Sequence, residues 1–194
     1  MSIMLKKRVL FCAVFAPKFS YLHIHFITNR VLLNLRHLIM QLENLKATIV
    51  TIMEGTEATG EKLQAICDNL EAQVSYYDWV GFYFKNGDKE ELKLAQFTGE
   101  PTEHTIIPFG KGICGQVAVS NENFVVQDVS EQDNYISCGW KVKSEIVIPI
   151  FVNGENIGQI DIDSHTANIF TKQDEELLEF TCAMISKHLS SNSQ

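Results

Sequence analysis

The spacing of apolar residues changes along the first half of the chain, and each change predicts an element. Leucines and isoleucines recur at helical spacing over 40–54 and again over 59–74, which predicts two amphipathic helices. The spacing then becomes that of strands at 79–85 and 91–97, with an Asn-Gly-Asp turn between them. Two strands joined by so short a turn predict an antiparallel hairpin.

The spacing of apolar residues also changes between that of strands and that of helices along the second half of the chain. We expect a strand over 103–108, a short helix over 112–120 and a strand at 124–126, followed by a polar loop over 127–138. The segments 145–152 and 156–163 predict a second hairpin around Asn153 and Gly154. A last helix starts near Thr171, which can cap it together with Asp174. Helices at both ends of a mostly antiparallel sheet indicate an α+β fold.

Residues 1–39 have a different composition from the rest of the chain. They carry six lysines or arginines and no acidic residue, and the helical pattern begins only near Met40. Their first apolar run, 9–16, is too short to span a bilayer, and the next is broken by His23, His25 and Arg30. We therefore expect a domain over 40–190 preceded by an extension, 1–39; an upstream extension, a signal peptide and a transit peptide all remain open for the latter.

Charge and cysteine content narrow the function classes. The formal net charge of −8 argues against nucleic-acid binding, which needs a basic face, and no segment predicts a membrane span. The histidines do not cluster, and the five cysteines show neither metal-ligand spacing nor an even count for a disulfide framework. We expect a cytoplasmic protein in a reducing compartment, with no metal and no cofactor.

Three acidic residues interrupt strands that are otherwise apolar. Glu145 opens one strand of the second hairpin, and Asp161 and Asp163 lie on the other. Because alternate residues of a strand share a face, the two aspartates point the same way and Ile160 and Ile162 point the opposite way. A carboxylate beside a core is unfavourable unless it is paired, so these residues indicate either a pocket or a solvated edge.

The motifs GKGICG, NYISC, SEIVIPI and GQIDIDS, in this order over 110–164, carry a resemblance to a known family. Residues 40–189 resemble a GAF domain, and the relative positions of Cys138, Glu145, Asp161 and Asp163 resemble those of the free methionine-R-sulfoxide reductases. The resemblance implies a sheet of about six antiparallel strands, with the terminal helices on one face and a pocket on the other. It also implies reduction of free methionine-(R)-sulfoxide, with thioredoxin or another thiol reductant as the electron donor.

The resemblance also implies a role for each candidate residue. Cys138 is the expected nucleophile, and Glu145 is the expected proton donor, because apolar neighbours raise the pKa of a carboxyl group. Trp79 and Tyr83 would line the methyl-sulfoxide pocket, although aromatic residues of strands more often belong to a core. Asp161 and Asp163 would hold the ammonium group of the amino acid.

Two further positions depend on the same comparison. The reductases have a third cysteine ten residues before Cys114, where this chain has His104, so Cys114 is the expected internal partner of oxidised Cys138. Gly139 replaces an acidic residue that commonly follows the catalytic cysteine. Asp128 either reaches the pocket or closes a turn at the end of a strand.

Other functions remain open at the level of sequence. A GAF domain can bind a small metabolite without catalysis, and Cys114 and Cys138 could form the regulatory disulfide of a redox sensor. The apolar stripes of the terminal helices are compatible with a homodimer.

Overall fold

The computed structural model describes residues 20–134 and 141–192. Contacts divide the chain into two compact units, with the boundary between Met40 and Gln41. In the first unit the described residues form the beginning of helix α1, and the exposed side chains there include Leu33 and Met40. This helical segment was not predicted from the sequence, because its apolar stretch is interrupted by His23, His25 and Arg30. The division into an extension and a domain stays a prediction.

The elements follow the predicted order. The helices are α1 (Ser20–Glu54), α2 (Thr59–Gln73), α3 (Gly112–Ser120) and α4 (Lys172–Asn192). The strands are β1 (Trp79–Lys85), β2 (Glu91–Thr98), β3 (Ile106–Pro108), β4 (Phe124–Val126), β5 (Ser144–Val152) and β6 (Glu155–Ser164). A 3-10 turn, Val129–Glu131, lies between β4 and β5. β3 is shorter than the predicted strand, since Glu103 and Thr105 belong to the loop that precedes it.

The six strands form one antiparallel sheet in the order β3-β2-β1-β6-β5-β4. The two predicted hairpins, β1-β2 and β5-β6, are both present, and β6 pairs with β1 to join them at the centre of the sheet. The register between β6 and its neighbours aligns Asp163 with both Trp79 and Glu145. The predicted α+β class and the GAF-like sheet of six antiparallel strands are confirmed.

One face of the sheet carries the main hydrophobic core. Val80 and Phe82 of β1 point to this face together with the isoleucines of β5 and β6, because side chains alternate along a strand. The part of α1 that follows residue 40, α2 and α4 cover it with apolar side chains, among them Leu45, Ile49, Ile66, Leu70, Leu177, Leu178 and Ile185. Burial of this surface is the main favourable contribution to folding.

The start of α4 is held by a buried carboxylate. Asp174 accepts hydrogen bonds from the backbone N–H and the hydroxyl of Thr171, both at 2.7 Å. Its other oxygen accepts from the hydroxyls of Tyr76 and Tyr77, at 2.7 and 2.8 Å. The predicted pair of Thr171 and Asp174 is thus present at the helix start, with the carboxylate of Asp174 as the acceptor, and the same carboxylate ties the helix to the segment before β1.

The opposite face of the sheet is only partly covered. α3 packs on it and forms a smaller apolar cluster with Tyr83, Val147 and others. Beside α3 the aromatic side chains of β1 and the acidic side chains of β6 line a pocket, so the helices and the pocket lie on opposite faces, as the resemblance implies. Among the helices that the structure describes, none has a stretch long and apolar enough to cross a membrane.

Candidate functional site

The pocket lies over the central strands β1 and β6. Its empty space is about 530 Å³, including the part that opens to solvent. Four of its lining residues were candidates in the sequence, namely Trp79, Tyr83, Asp161 and Asp163; the others are Asp78, Glu100, Thr102, Lys141, Val142 and His165.

The aromatic wall of the pocket is formed by β1. The rings of Trp79 and Tyr83 are 6.3 Å apart, and Gly81 lies between them on the same face of the strand. A Cβ atom at Gly81 would lie only 2.1 Å from the indole ring of Trp79, so glycine is what allows the indole to lie along the strand. The indole N–H donates to Glu100 O and the Tyr83 hydroxyl donates to His104 O, which fixes both rings.

The acidic wall comes from β5 and β6. Glu145 is aligned with Asp163, and Asp161 is aligned with Gly81, so all three carboxyl groups lie on the pocket face. Each of them is at most 3% exposed, which excludes the solvated edge that the spacing alone had left open. One oxygen of each has no hydrogen-bond partner, and none of the ion pairs found among the described residues involves them.

Burial without counter-charge favours the protonated form of these groups. It raises the pKa of Asp161 to about 7, although the hydrogen bond from Cys114 acts in the opposite direction. Burial, reinforced by the charges of Asp161 and Asp163, raises the pKa of Glu145 well above its usual value. Burial, followed by the charges of Asp161 and Asp78, does the same to the pKa of Asp163. The site can therefore hold a proton on a carboxyl group at neutral pH.

Cys114 lies in the first turn of α3, and its thiol points into this acidic wall. Its Sγ donates a hydrogen bond to Asp161 Oδ2 at 3.1 Å, and the residue is 4% exposed. The glycines of GKGICG place it there: a Cβ atom at Gly115 would lie 2.5 Å from Pro108 O, so only glycine lets α3 approach the end of β3 so closely. The expected thiol is thus adjacent to the expected carboxyl groups.

Among the described candidates, Glu145 and Cys114 lie on the pocket face of the sheet but do not line the pocket itself. Cys138 lies outside the described residues, and so does Gly139. Asp128 caps the 3-10 turn, where its Oδ1 accepts from the backbone N–H and the hydroxyl of Ser130 at 2.9 and 2.6 Å. Asp128 is not among the described residues that line the pocket. Its hydrogen bonds fit the second of the two roles expected for it, a residue that closes a turn at the end of a strand.

The sequence interpretation missed the charged residues at the mouth of the pocket. Lys141 pairs with Glu100, and His165 Nδ1 is 3.1 Å from Asp78 Oδ1. Asp78 and His165 directly flank β1 and β6 in sequence, and polar residues at strand ends next to the acidic motif were the available signal. Lys141 follows the polar loop and offers no comparable pattern.

The protein has an antiparallel sheet with helices on one face and a polar pocket on the other. This arrangement defines the class of protein to which it belongs. The chain belongs to the GAF domain family, which matches residues 59–189. Within this family it is similar to the free methionine-R-sulfoxide reductases, as its motifs indicated.

Three comparisons carry this similarity. The chain is 36% identical over 121 residues to the free methionine-R-sulfoxide reductase of Escherichia coli (strain K12), which covers 62% of this chain and 72% of that protein. It is 39% identical over 112 residues to the Saccharomyces cerevisiae reductase, covering 57% of this chain and 62% of that protein. The X-ray structure of the Neisseria meningitidis reductase in complex with its substrate superposes with a TM-score of 0.74 at 30% identity, covering 79% of this chain and 92% of the other.

Proposed function

We propose that this protein reduces free L-methionine-(R)-sulfoxide to methionine. The observation that carries the proposal is the group of buried carboxyl groups, Glu145, Asp161 and Asp163, on one face of the sheet. Asp161 accepts a hydrogen bond from the Cys114 thiol, and the two aspartates line the pocket together with its aromatic wall. The similarity to reductases of this substrate supports it. A pocket that only bound an apolar metabolite would not need three uncompensated acids.

Sulfoxide reduction needs a thiolate and a proton donor in one place. The Cys138 thiolate attacks the sulfoxide sulfur, while the sulfoxide oxygen accepts a proton from Glu145. The oxygen is transferred to Cys138 as a sulfenic acid, and methionine leaves two electrons more reduced. The raised pKa of Glu145 keeps a proton available for this step near neutral pH.

The other charges can orient a free amino acid. The substrate ammonium group fits between Asp161 and Asp163, whose ionised forms it would stabilise, since an adjacent positive charge lowers the pKa of a carboxyl group. Its carboxylate would then face Lys141 at the mouth of the pocket, where the lysine side chain is 37% exposed. A residue within a peptide lacks both charges, so this arrangement selects the free amino acid.

The catalytic cycle is completed by a second thiol. The Cys114 thiolate attacks the sulfur of oxidised Cys138, a disulfide forms and water leaves. Thioredoxin or another dithiol then reduces this disulfide and restores both thiols. The proposal also includes a homodimer and a cytoplasmic location.

The decisive experiment measures consumption of free methionine-(R)-sulfoxide with two reductants, dithiothreitol and a thioredoxin system. Wild-type protein is compared with Cys138→Ser and Cys114→Ser, and with Cys182→Ser as a matched control that removes a buried thiol on the helix-covered face. We expect Cys138→Ser to lose turnover with both reductants and Cys114→Ser to lose it only with thioredoxin. Cys182→Ser should retain activity with either.

Two results would change the assignment. Loss of turnover with dithiothreitol in Cys114→Ser and its retention in Cys138→Ser would exchange the roles of the two thiols. Absence of turnover in folded wild-type protein with both reductants would reject the enzyme and leave a ligand-binding or redox-sensing GAF domain.

A further inference from the structure

The acidic wall of the pocket also has the composition of a metal site. Cys114, Glu145 and Asp161 each offer one ligand atom, and these three atoms all lie within 4.8 Å of one another. Cys114 Sγ and Asp161 Oδ2 are 3.1 Å apart. Around a tetrahedral zinc ion, bonds of about 2.3 Å to sulfur and about 2.0 Å to oxygen place neighbouring ligand atoms roughly 3.3–3.5 Å apart. Small side-chain rotations would bring the three atoms to that spacing.

A second observation points to a positive ligand at the same place. Glu145 Oε2 and Asp161 Oδ1 are buried, and neither has a hydrogen-bond partner among the described residues. Buried polar atoms are normally satisfied, so each one left unsatisfied calls for an explanation such as a bound ion. Asp163 Oδ1, on the same face of β6, is also buried and also has no hydrogen-bond partner among the described residues. One cation between these groups would compensate all of them at once.

We propose that the reduced protein binds one Zn²⁺ ion through Cys114 Sγ, a Glu145 oxygen and an Asp161 oxygen. Binding releases the thiol proton and any carboxyl protons to solvent as the ligand atoms take the metal. No electron is transferred. Three protein ligands leave a fourth position of the tetrahedral ion for water or another small ligand.

The set of ligand atoms selects the kind of metal. Mg²⁺ and Ca²⁺ prefer oxygen ligands, with six or more around the ion, whereas this site offers one sulfur and two carboxyl groups in a buried wall. Thiolate ligands favour Zn²⁺ and similar ions. Neither Mg²⁺ nor Ca²⁺ should therefore compete at equal concentration.

Metal binding has a consequence for catalysis that rests on the proposed function. The ion would occupy Glu145, the proposed proton donor, and Cys114, the proposed second thiol. The metal-loaded protein should then be inactive as a reductase, and a chelator should restore its activity. The binding itself does not depend on turnover.

The test is a zinc titration of untagged protein, reduced with a phosphine and freed of metal, in competition with a chromophoric chelator. Co²⁺ is used in parallel, because a thiolate ligand gives it a charge-transfer absorption. Wild type is compared with Cys114→Ser and with Glu145→Gln, which retains the shape of the side chain. Cys182→Ser and Cys138→Ser are the controls for the other thiols, and a thermal unfolding curve verifies that each variant is folded.

We expect one Zn²⁺ per chain in wild type, Cys182→Ser and Cys138→Ser, and an affinity at least tenfold weaker in Cys114→Ser and Glu145→Gln. The charge-transfer band should disappear only in Cys114→Ser. Absence of stoichiometric binding to wild type, equal affinity in Cys114→Ser, or loss of binding in Cys138→Ser would each overturn the three-ligand site. Because binding is read without substrate, these outcomes are independent of whether the protein proves to be a reductase.

Discussion

Replacing Asp161 with asparagine should change how the stability of the domain depends on pH. Asp161 is 2% exposed, and its pKa is about 7 in the folded protein against an ordinary value of 3.8. A carboxyl group whose pKa is raised by folding stabilises the folded state fully below the unfolded pKa. That contribution is lost as the pH rises through the folded pKa, here between about pH 4 and 7.

The size of the effect follows from the difference between the two pKa values. At about 1.4 kcal/mol per unit, the ionised Asp161 should destabilise the folded protein by about 4 kcal/mol at pH 8 and by less than about 1 kcal/mol at pH 4. Asparagine has nearly the same shape and does not titrate. Its own unsatisfied amide costs about 1–3 kcal/mol, and this cost is the same at both pH values.

The assay is urea unfolding of wild type and Asp161→Asn at pH 4, 6 and 8. The stability of the variant relative to wild type should increase by about 3–4 kcal/mol from pH 4 to pH 8, whatever the cost of the asparagine itself. Asp128→Asn is the matched control. Hydrogen bonds from Ser130 lower the pKa of Asp128 below its ordinary value of 3.8, so this carboxyl group is largely ionised in both the folded and the unfolded protein over this pH range, and the stability of the variant relative to wild type should stay nearly constant. Parallel pH profiles for wild type and Asp161→Asn would refute the buried, uncompensated carboxyl group.

Three other predictions concern the pocket and its support. Gly81→Ala should raise KM for the sulfoxide at least about tenfold with little loss of secondary structure by circular dichroism, because its Cβ displaces the Trp79 indole. Lys141→Met should raise KM for the free amino acid and leave the single-turnover rate at saturating substrate unchanged, since it removes only the partner of the substrate carboxylate. Asp174→Ala should lower the free energy of unfolding by about 2–4 kcal/mol in urea titrations, because it removes the cap of α4 and leaves the Tyr77 hydroxyl, among others, without its acceptor. A KM unchanged in either pocket variant, or a stability loss below about 1 kcal/mol in Asp174→Ala, would contradict these assignments.

Much of the fold was available from local sequence signals. The Asn153 and Gly154 turn predicted its hairpin, and the alternation around Asp161 and Asp163 predicted that both share the face opposite to Ile160 and Ile162. Both features depend on residues that are close together in the sequence. For such residues, the two-residue period of a strand determines which face of the sheet each side chain is on. The helix before residue 40 was missed because polar residues such as His23, His25 and Arg30 interrupt its apolar spacing.

The site was predictable only in part, because its decisive features come from strand register. The aspartates were compatible with a solvated edge until the alignment of Asp163 with Glu145, beneath a covering helix, buried all three carboxyl groups. The hydrogen bond between Cys114 and Asp161 joins residues 47 positions apart, and no local pattern encodes such a contact. For the same reason the ion pair of Lys141 with Glu100 was not foreseen.

The central claim is that the buried carboxyl groups supply the proton for sulfoxide reduction. It is tested most directly by a single turnover: reduced, metal-free protein is mixed with excess free methionine-(R)-sulfoxide without any external reductant, and the methionine formed is measured over time. Glu145→Gln is compared with Glu122→Gln, which changes an exposed glutamate after α3.

We predict about one methionine per wild-type chain and the same yield and rate for Glu122→Gln. Glu145→Gln should form methionine about 10²–10⁴-fold more slowly, which is the usual contribution of a positioned general acid. Equal rates in wild type and Glu145→Gln would contradict the role of the carboxyl group, and no methionine from folded wild type would contradict the reductase itself.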